Sequence, residues 1–377
     1  MPEAAVDEER HAVLREDEIG SAGQAANIDA KAQTEPVQAS AQSEFRRGSA
    51  LADSGHQAAS GPHTQSVHHA ASPNSHSTMN AMHGPGILCR TLSTATTGSS
   101  SRPFAYGNKW QYHSQSDRHS KIACWGMTFD LLSSCSLLRA HIADGKVGLG
   151  INHELRDFRN NKKKNLDMVL CRAAAAQHKG GSKAGVRSAH DFAGLADAYG
   201  LALTQEERRQ LIKLPPLAIA GVATVLVATE AKATMTAHQK ALPRLKDELT
   251  SSHQTVHGDN ESAIAAGLVM VNAATRFVSS SKNKYDLARD AATMSTHRQP
   301  QDAEKIMAGL RDIQRRSSTG DAGFDALGVI VVDCVNDGSM VRHVTAHPPA
   351  PTASDDFDYA RFVHRVAHLY STRFASL

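Results

Sequence analysis

The stretch VLVATEAKAT, Val225 to Thr234, begins with the β-branched and apolar residues that are typical of a buried strand. It then places Glu230 and Lys232 two residues apart, with Ala231 between them. Side chains at positions i and i+2 of a strand share one face, so the two charges should point the same way and Ala231 the opposite way. The stretch therefore predicts a strand that presents a carboxylate beside an ammonium group.

A second short strand, Leu166 to Ala173 (LDMVLCRA), carries an acid, Asp167, at its start. If the two strands are neighbours, Asp167 and Glu230 converge at one edge of a sheet with Lys232 beside them. Two carboxylates can hold a hard divalent cation through oxygen, and a lysine can orient or deprotonate water and neutralise developing negative charge. These are the groups that hydrolysis of a phosphodiester requires.

The remaining patterns predict an α/β fold with a mixed central β-sheet flanked by helices. A strand is expected from Val147 to Glu154 or slightly beyond, forming a hairpin with Leu166–Ala173 through a turn at NNKKKN. One or two helices are expected over 188–213. The segment after the Glu-Ala-Lys stretch predicts a helix that is kinked or restarted at Pro243, and SAIAAGLVMVNAATRFV predicts a helix passing into a strand at Gly267.

The pair of segments LDMVL and VLVATEAKA resembles the PD-(D/E)XK nuclease superfamily, the fold of many type II restriction endonucleases and related DNA-processing nucleases. The family motif, an Asp on one strand and (D/E)xK near the end of the next, corresponds to Asp167 and to Glu230-Ala231-Lys232. Leu166 stands where the family motif has proline. The segment between the two strands is also longer than a simple hairpin needs.

The resemblance implies a Mg²⁺-dependent DNA endonuclease, with Mn²⁺ as an alternative metal. It implies that Asp167 and Glu230 are metal ligands, that Lys232 is catalytic, and that Glu154 is an additional upstream catalytic acid. The helix after the motif would bring Gln239 to the DNA. Sequence-specific cleavage of the restriction type is the favoured version, and a homodimer is expected if both strands of a palindrome are cut.

A basic segment lies between the two predicted hairpin strands and is expected to contact DNA phosphates, which carry little sequence information. Its residues are Arg159, Lys162, Lys163 and Lys164. Three alternatives stay open: a repair or recombination nuclease, a catalytically inactive nucleic-acid-binding protein of the same fold, and a globular protein with no DNA role. In the last case Glu230 and Lys232 would form a surface ion pair of little energetic worth, and Asp167 would be a turn residue.

Composition divides the 377 residues into two parts. Residues 1–102 are poor in aromatic residues and predict a disordered tail, because they can bury too little apolar area. Residues 103–377 are expected to form the nuclease-like domain, with a helical insertion at about 174–215. The chain has no CxxC pair, which favours reduced, buried cysteines. It has no apolar run long enough for a membrane span and no secretory signal, so an intracellular location is expected.

Overall fold

A mixed six-stranded sheet organises the computed structural model, which describes residues 81–98, 105–157, 161–174 and 189–377. Its strand order is β1-β2-β3-β4-β7-β8, and β5 and β6 form a separate two-stranded ribbon. The strands are β1 (Val147–Asp157), β2 (Lys162–Ala173), β3 (Val222–Thr234), β4 (Ile264–Asn272), β5 (Arg276–Val278), β6 (Met294–Thr296), β7 (Ala326–Asp333) and β8 (Arg342–His343).

Eight α-helices accompany the strands in the described part of the chain. They are α1 (Gly84–Leu92), α2 (Arg118–Ser134), α3 (Ser136–Ala143), α4 (Phe192–Ala198), α5 (Gln205–Lys213), α6 (His238–Asp259), α7 (Gln301–Arg311) and α8 (Tyr359–Arg373). None of these helices is long and apolar enough to cross a membrane.

Both strand directions occur within the sheet, which confirms the predicted mixed α/β fold. The first three strands pair antiparallel in chain order. Strands β3, β4 and β7 are parallel, because α6 carries the chain back between β3 and β4 and α7 does so before β7. Strand β4 is buried over its whole length, as expected for a strand at the centre of a sheet covered on both faces.

Helices cover both faces of the sheet, and each face has its own apolar core. On one face, residues of α1, α2 and α8 such as Leu88, Trp125 and Phe362 are fully buried. On the other face, Leu249 of α6 and Ile306 of α7 pack against the sheet. The charged side chains of β3 are thereby held on a strand that is fixed from two sides.

Strand β2 begins earlier than the sequence predicts. It starts at Lys162, so the lysine-rich segment is part of the strand and not a turn, and Asp167 lies well inside the strand rather than at its start. The hairpin continues as far as the pair Asp157–Lys162. The charged start of the strand stays in contact with solvent, because Lys162, Lys163 and Asn165 are exposed, and burial begins at Leu166.

Two other predicted elements differ from the structure. The segment before Gly267 is the first part of strand β4, not a helix, because a short run that is apolar on every face has no periodicity to separate the two. Helix α6 runs through Pro243 as one helix, and the proline is only its sixth residue. The missing N–H there removes one bond of the second turn and does not divide the helix.

The predicted boundary of the tail at residue 102 is also wrong in one respect. Helix α1 lies inside that segment, and Ile87 and Leu88 have no exposed surface. Asp130 of α2 fixes the start of the helix by accepting hydrogen bonds from the main-chain N–H groups of His83 and Gly84, at 2.8 and 2.7 Å. The composition averaged over residues 1–102 does not reveal an apolar helix as short as α1.

The predicted insertion contains α4 and α5 in its described part, and residues 175–188 lie outside the described residues. Thr204 begins α5 with a complete capping box, in which Glu207 is the reciprocal partner. All five cysteines are buried and free. The apolar surroundings of four of them predict this, whereas Cys89 lies in the segment predicted as the tail.

Candidate active site

Asp167 and the Glu-Ala-Lys stretch meet where strands β2 and β3 separate. Their pairing ends at Met168 and Thr229, so Asp167 stands opposite Glu230 one step beyond the last pair. The carboxylate of Asp167 accepts a hydrogen bond from the main-chain N–H of Ala231, at 3.2 Å. Its other oxygen accepts one from Ser120 Oγ of α2, at 3.0 Å. The structure therefore brings the three predicted residues together and fixes Asp167 from two elements.

Glu230 and Lys232 point to the same side of β3, toward α6, while Ala231 packs in the core on the other face. Lys232 Nζ lies 2.7 Å from Glu230 Oε1. Lys164 Nζ of β2 lies 3.7 Å from the same oxygen and donates to the main-chain carbonyl of Glu248, at 2.8 Å. Two ammonium groups therefore lie at one oxygen of a single carboxylate.

The Glu230 carboxylate is buried, with only 3% of the residue exposed. Its second oxygen, Oε2, has no hydrogen-bond partner among the described residues. A buried carboxylate oxygen without a donor is costly, so this atom needs a compensating positive charge or donor. The burial also shows that Glu230 and Lys232 are not the surface ion pair that the alternative interpretation requires.

Proximity of the two carboxylates changes the acidity of Asp167. Burial, followed by the negative charge of Glu230, raises the pKa of Asp167 to about 6. Lys232 and the hydrogen bonds from Ala231 and Ser120 act in the opposite direction and only partly offset the rise. A cation bound near both groups would remove this electrostatic cost.

The two lysines differ in their acidity. Burial lowers the pKa of Lys164. The attraction of Glu230 acts to raise this pKa, and the nearby positive charge of Lys232 acts to lower it further. Burial also acts to lower the pKa of Lys232, but the attraction of Glu230, Asp167 and Glu248 outweighs it, so that pKa is raised. Lys232 is therefore held firmly in its charged form.

A cavity of about 710 Å³ opens beside this cluster. Asp167, Lys164 and Lys232 line it together with Arg244 and Glu248 of α6. Glu230 does not line the cavity and lies behind the lysines. The lining therefore carries three basic side chains, Lys164, Lys232 and Arg244, and three acidic ones, Asp117, Asp167 and Glu248.

The donor set fits a hard divalent cation that keeps several waters. It offers two carboxylates on adjacent strands, one of them with a free buried oxygen, and Mg²⁺ is commonly held by one or two carboxylates. No group of three or more His, Cys, Asp or Glu side chains arranged to hold a metal occurs among the described residues. A cation here would thus depend on water or main-chain oxygens for its remaining ligands.

Other predicted site residues lie away from the cluster. Glu154 is exposed and pairs with Arg156 and Lys163, at 3.2 and 3.1 Å, and makes no contact with Asp167. Lys162 is exposed and donates to Gln254 Oε1, at 3.1 Å.

Gln239 is exposed in the first turn of α6 and does not line the cavity. Arg159 lies outside the described residues. Of the three described DNA-contacting residues predicted in the basic segment, the structure brings only Lys164 into the cluster.

Sequence reasoning missed Ser120, Arg244 and Glu248 as members of this site. Arg244 and Glu248 have the spacing of an i, i+4 ion pair and lie 2.7 Å apart on α6, which is a recognisable signal. Their contact with the cavity depends on how α6 packs across β3. Ser120 carries no local signal, because its role depends on the packing of α2 against the end of the β2–β3 pairing.

No protein-family model matches the chain, and searches of curated proteins and of solved structures also give no match. Functional inference therefore depends on the geometry of the site itself.

Proposed function

We propose that the protein is a divalent-metal-dependent nuclease that hydrolyses phosphodiester bonds of DNA, with a site of the PD-(D/E)XK type. One observation carries the proposal. The Asp167 carboxylate is hydrogen-bonded to the central residue of the Glu-Ala-Lys stretch, so an acid from one strand is fixed beside an acid and a lysine of the next.

Asp167 and Glu230 would hold Mg²⁺ or Mn²⁺. The raised pKa of Asp167 and the free Oε2 of Glu230 support this assignment, because both are relieved by a bound cation. When bound, such a cation lowers the pKa of a coordinated water and stabilises negative charge on a phosphoryl oxygen.

Lys232 would orient the attacking water and balance the negative charge that develops on the phosphate. Because its pKa is raised, Lys232 carries its proton at neutral pH, so an electrostatic and orienting role fits better than proton removal. Lys164 and Arg244 would add positive charge along the cavity wall, where a DNA phosphate would lie.

Sequence-specific cleavage of the restriction type stays a prediction, as does a homodimer. A repair or recombination nuclease would use the same site. A second candidate, a catalytically inactive DNA-binding protein of this fold, is favoured by one observation. Two lysines already neutralise Glu230 Oε1, and Glu230 does not line the cavity, so a cation in the cavity would contact Asp167 without reaching Glu230.

Supercoiled plasmid incubated with the protein and Mg²⁺ or Mn²⁺ tests the proposal. We expect the wild type to cut the plasmid and EDTA to stop the reaction. Glu230→Gln and Lys232→Met should abolish cleavage, whereas Glu206→Gln, which removes an exposed acid paired with Arg209 on α5, should leave it unchanged.

Cleavage that persists in both site variants would overturn the proposal. Plasmid that is retarded in a gel by the wild type, in a salt-sensitive manner and without cleavage in either metal, would favour the inactive DNA-binding protein.

A further inference from the structure

A second cavity, of about 590 Å³, lies where strand β7 begins, between that strand end and α8. We call it the arginine cavity. Its walls include four arginines and two histidines: Arg315, Arg316, Arg361, Arg365, His364 and His368.

The arginine cavity is separate from the candidate active site. Strands β3, β4 and β7 are parallel, and the Glu-Ala-Lys stretch lies in the second half of β3. Asp325, which lines the arginine cavity, immediately precedes β7 and therefore lies at the amino end of the same parallel strands. The two cavities share no lining residue.

A fully buried acid, Asp325, lies at the base of the arginine cavity and is already neutralised. Arg316 Nε lies 2.8 Å from its Oδ1, Arg373 donates to the same oxygen, and the main-chain N–H of Ala265 donates to Oδ2 at 2.8 Å. These donors and His257 hold the pKa of Asp325 well below its usual range, although burial alone would raise it. Asp325 therefore has no negative charge left to balance further arginines.

The three remaining arginines of the lining outnumber its one remaining acid, Asp356. Asp356 is shared by Arg315, at 3.2 Å, and Arg361, at 3.7 Å. Arg365 donates only to main-chain carbonyls, those of Asp325 and Arg316. The cavity lining thus holds four guanidinium groups and two carboxylates, which leaves two net positive charges.

Several donors of the cavity are also free to bind a ligand. His364 and His368 have no hydrogen-bond or ion partner among the described residues. Arg361 has only its ion pair with Asp356, at 3.7 Å, and its side chain is 54% exposed. A guanidinium group presents five N–H donors in a planar fork that matches the oxygens of a phosphate group.

We propose that the arginine cavity binds a small ligand that carries two or more phosphate groups, such as a nucleoside diphosphate or triphosphate or inorganic pyrophosphate. Its volume falls within the range of about 300–1,000 Å³ that is typical of small-molecule sites. The two unbalanced positive charges and the free guanidinium donors attract the negatively charged oxygens of linked phosphates. A concave site of this size favours a small ligand over a DNA duplex, which needs an extended surface.

Isothermal titration calorimetry on the full chain tests this proposal without any cleavage reaction, so its outcome is independent of the nuclease proposal. Pyrophosphate and ATP are titrated separately at about 150 mM salt, where weak surface attraction is screened. We expect saturable binding of at least one of them. Arg361→Glu and the double variant Arg361→Gln/Arg365→Gln should weaken it by about tenfold to 100-fold.

The matched control is Arg208→Gln/Arg209→Gln, which removes two exposed positive charges from α5 and should bind as the wild type does. Arg361→Glu changes a side chain whose only ion-pair partner among the described residues is the exposed Asp356, so this variant should fold even if the double variant is unstable. Equal affinity for pyrophosphate and ATP would identify the linked phosphates as the determinant, and much tighter binding of ATP would identify a nucleotide. Either result supports the proposal.

The proposal is overturned if neither ligand binds saturably up to about 1 mM, or if both Arg361 variants bind like the wild type. Binding of a short DNA duplex alone, lost in the Arg361 variants, would also overturn it and would make the arginine cavity part of a DNA-binding surface.

Discussion

The carboxylate of Asp167 accepts a hydrogen bond from the main-chain N–H of Ala231, across the gap where their strands separate. A side chain thus takes the place of the next main-chain partner in the β2–β3 ladder. The two strands diverge at this point without leaving the Ala231 N–H unsatisfied. The divergence makes room for the cavity, and the hydrogen bond fixes one acid relative to the next.

Asp167→Asn should abolish cleavage while leaving the protein folded. Asparagine can keep an acceptor for the Ala231 N–H but cannot supply the negative charge that a metal ligand needs, so we expect a loss of more than about 100-fold in rate. Plasmid cleavage in Mg²⁺ provides the measurement. The control is Ser120→Ala, which removes one hydrogen bond to Asp167 and keeps its charge, and which should retain most activity.

The same Asp167→Asn variant should be more stable than the wild type in EDTA at pH 8. The pKa of Asp167 is about 6 in the folded protein, above the ordinary value of 3.8, so its contribution is favourable at low pH and is lost as pH rises through 6. Asparagine avoids this loss, and we expect a gain of about 1–3 kcal/mol in the free energy of unfolding. Urea denaturation at pH 4 and pH 8 measures it. A gain of equal size at both pH values would contradict the explanation.

For the proposed nuclease, Lys164 and Lys162 should have different effects, although they lie two residues apart on β2. Lys164 reaches Glu230 and lines the cavity, whereas Lys162 is exposed and contacts Gln254. Lys164→Gln should lower the single-turnover cleavage rate more than the DNA affinity. Lys162→Gln should weaken DNA binding, reduce the slope of log affinity against log salt by about 1, and leave the rate of bound DNA unchanged.

Fluorescence titrations of a labelled duplex at several salt concentrations, with single-turnover cleavage alongside, separate the two effects. If Lys164→Gln changes only the affinity, Lys164 is a phosphate contact of the same kind as Lys162. Lys232 would then be the only one of the two lysines at Glu230 that contributes to the cleavage rate.

The central part of the site could be predicted because it is encoded locally. Alternation along β3 places Glu230 and Lys232 on one side, and the apolar run after Asp167 identifies its strand. Neither pattern fixes the register between the strands. That register comes from the pairing of Met168 with Thr229 and decides that the two acids meet.

Contributions from distant elements could not be predicted in the same way. Ser120 and Glu248 reach the site because α2 and α6 pack on opposite faces of the sheet, and no spacing in the sequence records this. Glu154 is the opposite case, a residue that the sequence predicts for the site and that the structure places outside it. It lies on the predicted strand, yet its exposed side chain is held by Arg156 and Lys163. The arginine cavity likewise joins the segment before β7 to α8, which are far apart in the chain.

His253 should make the protein sensitive to mild acid. The residue is 1% exposed, and neither of its ring nitrogens has a hydrogen-bond partner among the described residues. Burial, followed by the charges of His257 and Arg316, lowers its pKa from 6.5 to about 4. The folded protein therefore binds this proton less readily than the unfolded chain, so stability falls as pH decreases from about 6.5 toward 4.

His253→Leu should remove this part of the pH dependence. We expect the variant to have a higher free energy of unfolding than the wild type. The difference between the two proteins should be about 2 kcal/mol larger at pH 5 than at pH 8, as measured by urea denaturation. It should also gain slightly at both pH values, because two unsatisfied nitrogens are removed. His190→Leu, at an exposed position, is the control. A stability difference between variant and wild type that is the same at pH 5 and at pH 8 would contradict the prediction.

Gly126→Ala should destabilise the protein by about 1–3 kcal/mol, because the contact between α1 and α2 leaves no room for a methyl group. A Cβ atom at Gly126 would lie 2.8 Å from the Cα atom and 3.2 Å from the carbonyl oxygen of Gly84, and main-chain atoms cannot rotate away.

Gly86→Ala is the matched control on α1. Its Cβ would meet only the end of the Arg90 side chain, at 3.0 Å from Nη1. Glu207 and the Ala202 carbonyl hold that guanidinium group, but a side-chain end can shift by a few tenths of an ångström more easily than main-chain atoms, so higher helix propensity should make the variant neutral or up to about 1 kcal/mol more stable. Thermal and urea denaturation compare the two variants. Equal stability of the two would mean that α1 does not pack against α2 in solution, and that the folded domain begins after residue 92.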